Sequence, residues 1–123
     1  MDKLRFEELV NRAFENLPEI FRTNIDNVQF VIEDYPSDEQ FSKVKHASKY
    51  SLLGLYEGIP LKFRGPWYGS SATVPDRISL FQKNIESYSS DENEIERNVR
   101  EVLIHEIGHY FGMSEEEIRK AGY

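Results

Sequence analysis

The stretch Val102-Leu103-Ile104-His105-Glu106-Ile107-Gly108-His109-Tyr110-Phe111-Gly112 constrains the chain more than any other. From 102 to 111 it holds no Lys, Arg, Asp, Asn, Ser or Thr. Its polar groups are His105, Glu106, His109 and the Tyr110 hydroxyl. Such a run reads as the last turns of a buried helix. Two imidazoles and a carboxylate inside an apolar helix cost free energy unless each finds a strong partner. Residues four apart share one helix face, so the His105 and His109 rings lie a turn apart on the same side. Imidazole nitrogens placed in this way converge on one zinc ion at about 2.0–2.1 Å.

Glu106 follows the first histidine and is rotated by about 100° on the helical wheel. It can reach a water on the metal without becoming a ligand. Zinc lowers the pKa of bound water to about 7, and a nearby carboxylate can take its proton as it attacks a carbonyl. H-E-x-x-H on a helix is the sequence form of this arrangement. The alternative is two core histidines and a charge that fall at this spacing by chance. Against it, the chain has three histidines and two of them stand in the motif.

A chain of 123 residues is expected to form one domain, 1–123, around one modest core. Tyr and Phe far outnumber Trp, so much of that core is expected to be aromatic. A net charge of −7 argues against nucleic acid or an anionic membrane as the main partner. There is no cysteine, so a disulfide frame and a thiolate zinc site are both excluded. No stretch is long and apolar enough to span a membrane, and the first residues lack a signal peptide's apolar core. A cytoplasmic protein is the default expectation, and a monomer is assumed.

Leu4, Leu9, Ala13, Phe14 and Leu17 follow a helical period, with Phe6 and Val10 widening the stripe. Residues 3–17 are therefore a covering helix, and Pro18 opens a further turn at Glu19-Ile20-Phe21-Arg22. Val28–Glu33 reads as the first strand. The polar stretch 34–50 is loop or a short irregular helix. His46 stands in it as a possible third metal ligand, although a lone histidine in such a stretch is ordinarily a solvated surface residue. Leu52–Tyr56 and Ile59–Phe63 flank Glu57-Gly58 and suggest a hairpin, with Pro60 keeping the second arm at an edge. Residues 64–76 read as a mobile loop, in which Trp67 and Tyr68 wall a cleft or pin the loop to the core; pinning is the reading taken. Ile78–Lys83 is the last strand, whose edge is a candidate cleft rim for an extended peptide. Residues 86–93 read as a polar connection, with Ser90 or Asp91 as the N-cap of the motif helix. The whole is α+β: a small twisted mixed sheet packed against an N-terminal helix and a C-terminal active-site helix.

Catalytic zinc ordinarily has three protein ligands and one open position. Gly112 reads as the left-handed residue that ends the helix. Sites whose third ligand comes from a helix twenty or more residues downstream are excluded, because eleven residues follow Gly112. In the pattern H-E-x-x-H-x-x-G-x-x-H the glycine turn returns the third ligand, and its last position falls on Glu115. A carboxylate can bind zinc there. Ser114 with Glu117 matches a capping box, and acidic residues are common in a first turn, which accounts for Glu117 and partly for Glu116. Glu115 keeps the ligand role by spacing, with Glu116 and His46 as the alternatives.

At this point the chain resembles the small bacterial zincin-like metallopeptidases, sometimes described as minimal metzincins. The resemblance rests on His105–Gly112 and the acidic residues after it. Leu53–Leu61 and Pro75-Asp76-Arg77-Ile78 support it, and with the order of elements it covers most of the chain. It implies a compact zincin fold and a zinc site with an acidic third ligand, here Glu115. The third histidine and the methionine turn of larger metzincins are missing. The expectation is a zinc-dependent peptidase-like hydrolase acting on peptides or unfolded proteins. His105, His109 and Glu115 would hold the metal, Glu106 would act as general base and then acid, and Tyr68 or Arg77 are candidates to stabilise the oxyanion. A metal-binding interaction module without catalysis is the second reading, and a metal-free domain with structural histidines is the third.

Overall fold

A computed structural model describes residues 1–68 and 74–123 of the chain. Among these, six α-helices and three strands follow one another: α1 Lys3–Glu15, α2 Glu19–Thr23, β1 Val28–Glu33, α3 Asp38–Ser42, β2 Gly54–Glu57, β3 Asp76–Phe81, α4 Gln82–Ser87, α5 Glu92–Tyr110 and α6 Glu115–Lys120. The architecture is the α+β arrangement expected, and the sheet is mixed. β1 pairs with β3 in parallel, β2 pairs with β3 antiparallel, and the order is β1-β3-β2.

Strand alternation divides the sheet into two faces. Ile78 and Leu80 of β3 are fully buried on one face, where they meet Phe6, Leu9 and Ala13 of α1 and Val99, Leu103 and Ile107 of α5. On the other face Phe81 packs with Leu52, Leu55 and Val44, a second, smaller core. On that same face Gln40 of α3 reaches Glu33, Glu57 and Ser79 across three strands. The cap on α1 is Asp2, whose carboxylate accepts from the Arg5 N–H at 2.8 Å, and Asp91 does the same for α5 at Glu94. Leu4 departs from the expected stripe. It is three-quarters exposed, because the buried face is centred on Phe6, Leu9, Val10 and Ala13.

Three readings of the middle of the chain are corrected. Glu57-Gly58 does not join a hairpin: β2 ends there, Gly58 takes φ +152°, and Leu61–Phe63 is a 3-10 turn opened by Pro60. Proline pre-sets φ for such a turn and cannot donate to a ladder, so the tendency to turn prevails over pairing. β3 begins two residues early and stops at Phe81, and α4 occupies 82–87 where strand and polar connection were expected. β3 is also the central strand, hydrogen-bonded on both sides, so it offers no edge to a peptide; β2 is the edge beside α5. The expected mobile loop at 64–76 includes 69–73, which lie outside the described residues. Outside that segment, Tyr68 pins the chain by accepting from Asn27 Nδ2 at 2.7 Å, and Trp67 packs edge-on against Tyr68.

A buried ion pair fastens the strands to the motif helix. Arg64 and Asp76 side chains are 5% and 3% exposed and meet at 2.8 Å. Asp76 also accepts from Tyr56 Oη at 2.5 Å and Ile59 N at 3.1 Å. Arg64 donates to the carbonyls of Ile59 and Asp26, and its guanidinium lies over the rings of Tyr68 and Tyr110. Breaking a buried pair leaves an uncompensated charge and costs about 3–5 kcal/mol. Asp76→Ala should therefore lower unfolding free energy by about that amount in urea denaturation, and an exposed pair such as Lys49–Asp38 should show no comparable loss.

Candidate metal centre

α5 ends in a Schellman motif. Gly112 takes φ +90°, its N–H donates to His109 O at 2.8 Å, and Met113 N–H donates to Gly108 O at 2.9 Å. The chain reverses and Ser114 caps α6, with both bonds of the expected capping box present at 3.1 Å. α6 settles on α5 through Ile118, which is buried against Gly108. A Cβ at Gly108 would stand 2.7 Å from Ile118 Cδ1, so glycine inside the motif permits this contact. The tight return brings Glu115 back over the histidines.

His105, His109 and Glu115 converge. Glu115 Oε1 lies 2.8 Å from His109 Nε2, and Glu115 Oε2 lies 3.7 Å from His105 Nε2. Glu116 points away to Lys120. The imidazoles are less buried than an apolar helix suggests: each side chain is about 30% exposed, and His105 opens into a cleft. Among the described residues no three His, Cys, Asp or Glu side chains are set as a finished metal cage. Glu115 is closed directly onto His109.

The hydrogen bonds nevertheless fit the residues to a cation. His105 Nδ1 lies 2.8 Å from Glu101 O and His109 Nδ1 lies 2.9 Å from Met113 O. A carbonyl can only accept, so both Nδ1 atoms carry protons, and in the neutral rings both Nε2 atoms present lone pairs toward the Glu115 carboxylate. Lone pairs facing a carboxylate need a proton or a metal between them. Backbone carbonyls holding the far ring nitrogen are also the usual support of a ligating histidine. The site stands at the electronegative C-terminal end of α5, which favours a cation further.

Glu106 lies under this group. Its Oε1 accepts from Tyr56 N–H of β2 at 2.8 Å. Gly54 allows that approach, because a Cβ there would collide with Val102 of α5 and stand 3.1 Å from Ser79 O. Burial pushes the Glu106 carboxyl above its ordinary range, with Glu115 adding to the rise, while His109, the Tyr56 N–H and His105 oppose it. Burial works against the charged His109 ring, but Glu106, Glu115 and the Met113 carbonyl outweigh it and raise the pKa.

A cleft of about 360 Å³ opens beside these residues, between α5 and the segment that leads into β2. His46 lines it from an exposed position, as expected of a histidine in that stretch, with Nδ1 2.8 Å from Ser51 Oγ. Tyr68 and Arg77 do not line it; Tyr68 is engaged by Asn27, and Arg77 by Glu33 at 2.9 Å. The sequence reading missed Tyr56, whose backbone N–H acts here, and Asn84. The buried Asn84 amide donates to Lys49 O and Leu52 O at 2.7 Å, fixing the cleft wall from α4. A backbone donor leaves no side-chain signal, and an Asn in a polar stretch looks solvated.

The family model described as Zincin-like metallopeptidase matches residues 25–123. No curated protein matches the chain. The chain belongs to the zincin-like metallopeptidase family.

The return of Glu115 depends on the α6 cap. Ser114→Ala should cost about 1 kcal/mol in thermal or chemical unfolding, whereas Glu116→Ala should leave stability unchanged.

Proposed function

We propose that this member of the zincin-like metallopeptidases is a zinc-dependent peptidase, with His105, His109 and Glu115 as metal ligands and Glu106 as general base. The observation that carries the reading is the pair of Nδ1–carbonyl bonds that turn both Nε2 lone pairs onto Glu115. Bound zinc supplies Lewis acidity toward the peptide carbonyl and the attacking water. The protein's own residues do the rest. His105, His109 and Glu115 would hold the ion. Glu106 takes the proton of the attacking water and returns it to the leaving amine nitrogen. The Tyr56 N–H holds one carboxylate oxygen and leaves the other for the proton.

Among the described residues β2 has no strand on its outer edge, which lies beside the cleft with Gly54 in its wall and the Tyr56 N–H given to Glu106. An extended peptide could add to that edge by main-chain hydrogen bonds, its side chains resting on Leu53 and Val102. Peptides and unfolded segments are therefore the substrate class, and no helix is long and apolar enough to cross a membrane among the described residues.

The buried Glu106 carboxylate separates this reading from a binding module that holds metal without catalysis. Glu106→Gln should keep zinc and fold but lose about a hundredfold or more in hydrolysis of any cleaved peptide. Equal rates in the two proteins would remove the general-base assignment. Glu115→Ala should weaken zinc strongly while leaving α5 intact. Removing all metal with a chelator should lower the thermal midpoint of the wild type, since a ligand that binds only the native state stabilises it by mass action. An unchanged midpoint would mean that metal plays no part in stability.

A further inference from the structure

The cleft contains a third imidazole that neither the ligand set nor the general base uses. The remaining side chains that line it are poor partners for a developing negative charge. Leu52, Leu53 and Val102 are apolar, and Glu101 is an anion like Glu106 and Glu115. The Asn98 amide is spent on Ser89 Oγ at 2.9 Å and Tyr88 O at 3.4 Å. Tyr68 and Arg77 are engaged elsewhere. His46 is left.

The loop holds that ring in place. His46 Nδ1 meets Ser51 Oγ at 2.8 Å, and Ser51 Oγ is also 2.9 Å from Ser48 O. The hydroxyl has one proton and can serve either ring tautomer. Turned to Ser48 O, it accepts from Nδ1–H. Turned to Nδ1, it gives up its bond to Ser48 O and leaves the ring proton on Nε2, which has no hydrogen-bond partner among the described residues. His46 can therefore present an N–H donor to the cleft without gaining a charge. The wall that carries it is fixed in turn by Asn84 at Lys49 O and Leu52 O.

We propose that His46 is a catalytic residue of this cleft, donating a hydrogen bond from Nε2 to the carbonyl oxygen of the substrate as it becomes tetrahedral. The proposal rests on the peptidase reading above. The proton stays on His46 throughout; it stabilises charge and is not transferred. Donors placed where such an oxygen develops charge act mainly on the transition state.

The test uses N-phosphoryl-Leu-Phe, a tetrahedral phosphoramidate whose leucine suits the apolar wall. Its affinity is measured for the zinc-loaded full chain and for H46A, H46Q and S51A. Zinc affinity of each is measured separately by competition with a chromophoric chelator. H46A should weaken the phosphoramidate about 100-fold with zinc affinity unchanged. H46Q, which keeps an N–H donor, should recover part of the loss, and S51A should lose less than H46A. With a cleaved peptide, H46A should lower kcat about 100-fold with little change in KM. Equal phosphoramidate affinity in wild type and H46A overturns the proposal. So does a loss of zinc affinity in H46A, which would make His46 a ligand, and so does a zinc-loaded wild type that does not bind the phosphoramidate. A wild type that takes up no zinc removes the metal reading itself, and the His46 assignment with it.

Discussion

A guanidinium and a carboxylate withdrawn from water, Arg64 and Asp76, tie the end of β2 and the start of β3 to the last turn of α5. Removing two charges from solvent is expensive, and the pair persists because its remaining hydrogen-bonding groups are largely occupied. Asp76 opens β3 and holds the Tyr56 hydroxyl and the Ile59 N–H. Arg64 closes onto Ile59 O and Asp26 O. Tyr110, from the last turn of α5, lies under the guanidinium and accepts from Asp26 N–H at 2.9 Å. Burial and the bond to Asp76 both push the Tyr56 hydroxyl pKa upward, so it stays a neutral donor. The end of β2 and the end of α5 are thus fixed to the same two residues, and the Glu106–Tyr56 bond lies between them.

Glycine sets the distances in this arrangement as much as hydrogen bonding does. Gly54 lets β2 lie against Val102 of α5, Gly108 admits Ile118, and Gly112 reverses the chain with the Lys62 stem packed over it. Each contact fills the space where a Cβ would stand. Glu115 meets the histidines where Gly108 admits Ile118 and Gly112 reverses the chain, and Glu106 meets Tyr56 where Gly54 lets β2 lie close to α5.

The sequence was informative wherever chemistry repeats at a fixed spacing. His105, Glu106 and His109 on a helix, the Gly112 stop, the Ser114–Glu117 box and the return of Glu115 are all local relations, and the structure shows each of them as a local geometry. The α+β class followed from the order of apolar segments. The middle of the chain was less legible because non-local pairing decides it. Leu52–Phe63 carries hairpin chemistry, but β2 finds β3 instead, and Pro60 directs the following residues into a turn. Phe81-Gln82-Lys83 looks continuous with a strand until Gln82 and Asn84 turn out to be buried polar pins within α4. Asp76 could be noticed as part of a motif, yet its partners lie twelve to twenty residues away, and no local pattern reveals them.

The sequence distances spanned at the site bear on how the chain reaches its folded state. Tyr56 and Glu106 are fifty residues apart, and Asp26 and Tyr110 are eighty-four apart. β1 must find β3 in parallel register across the whole intervening segment. Loop closure over such spans is paid before the contacts reward it, so low-separation elements such as α1 and α5 can form early while these links form late. The carboxylate of Glu106 therefore gains its backbone donor only when the sheet is in register. On this topology a chain whose sheet is not yet in register carries the motif without the Tyr56–Glu106 bond beside it.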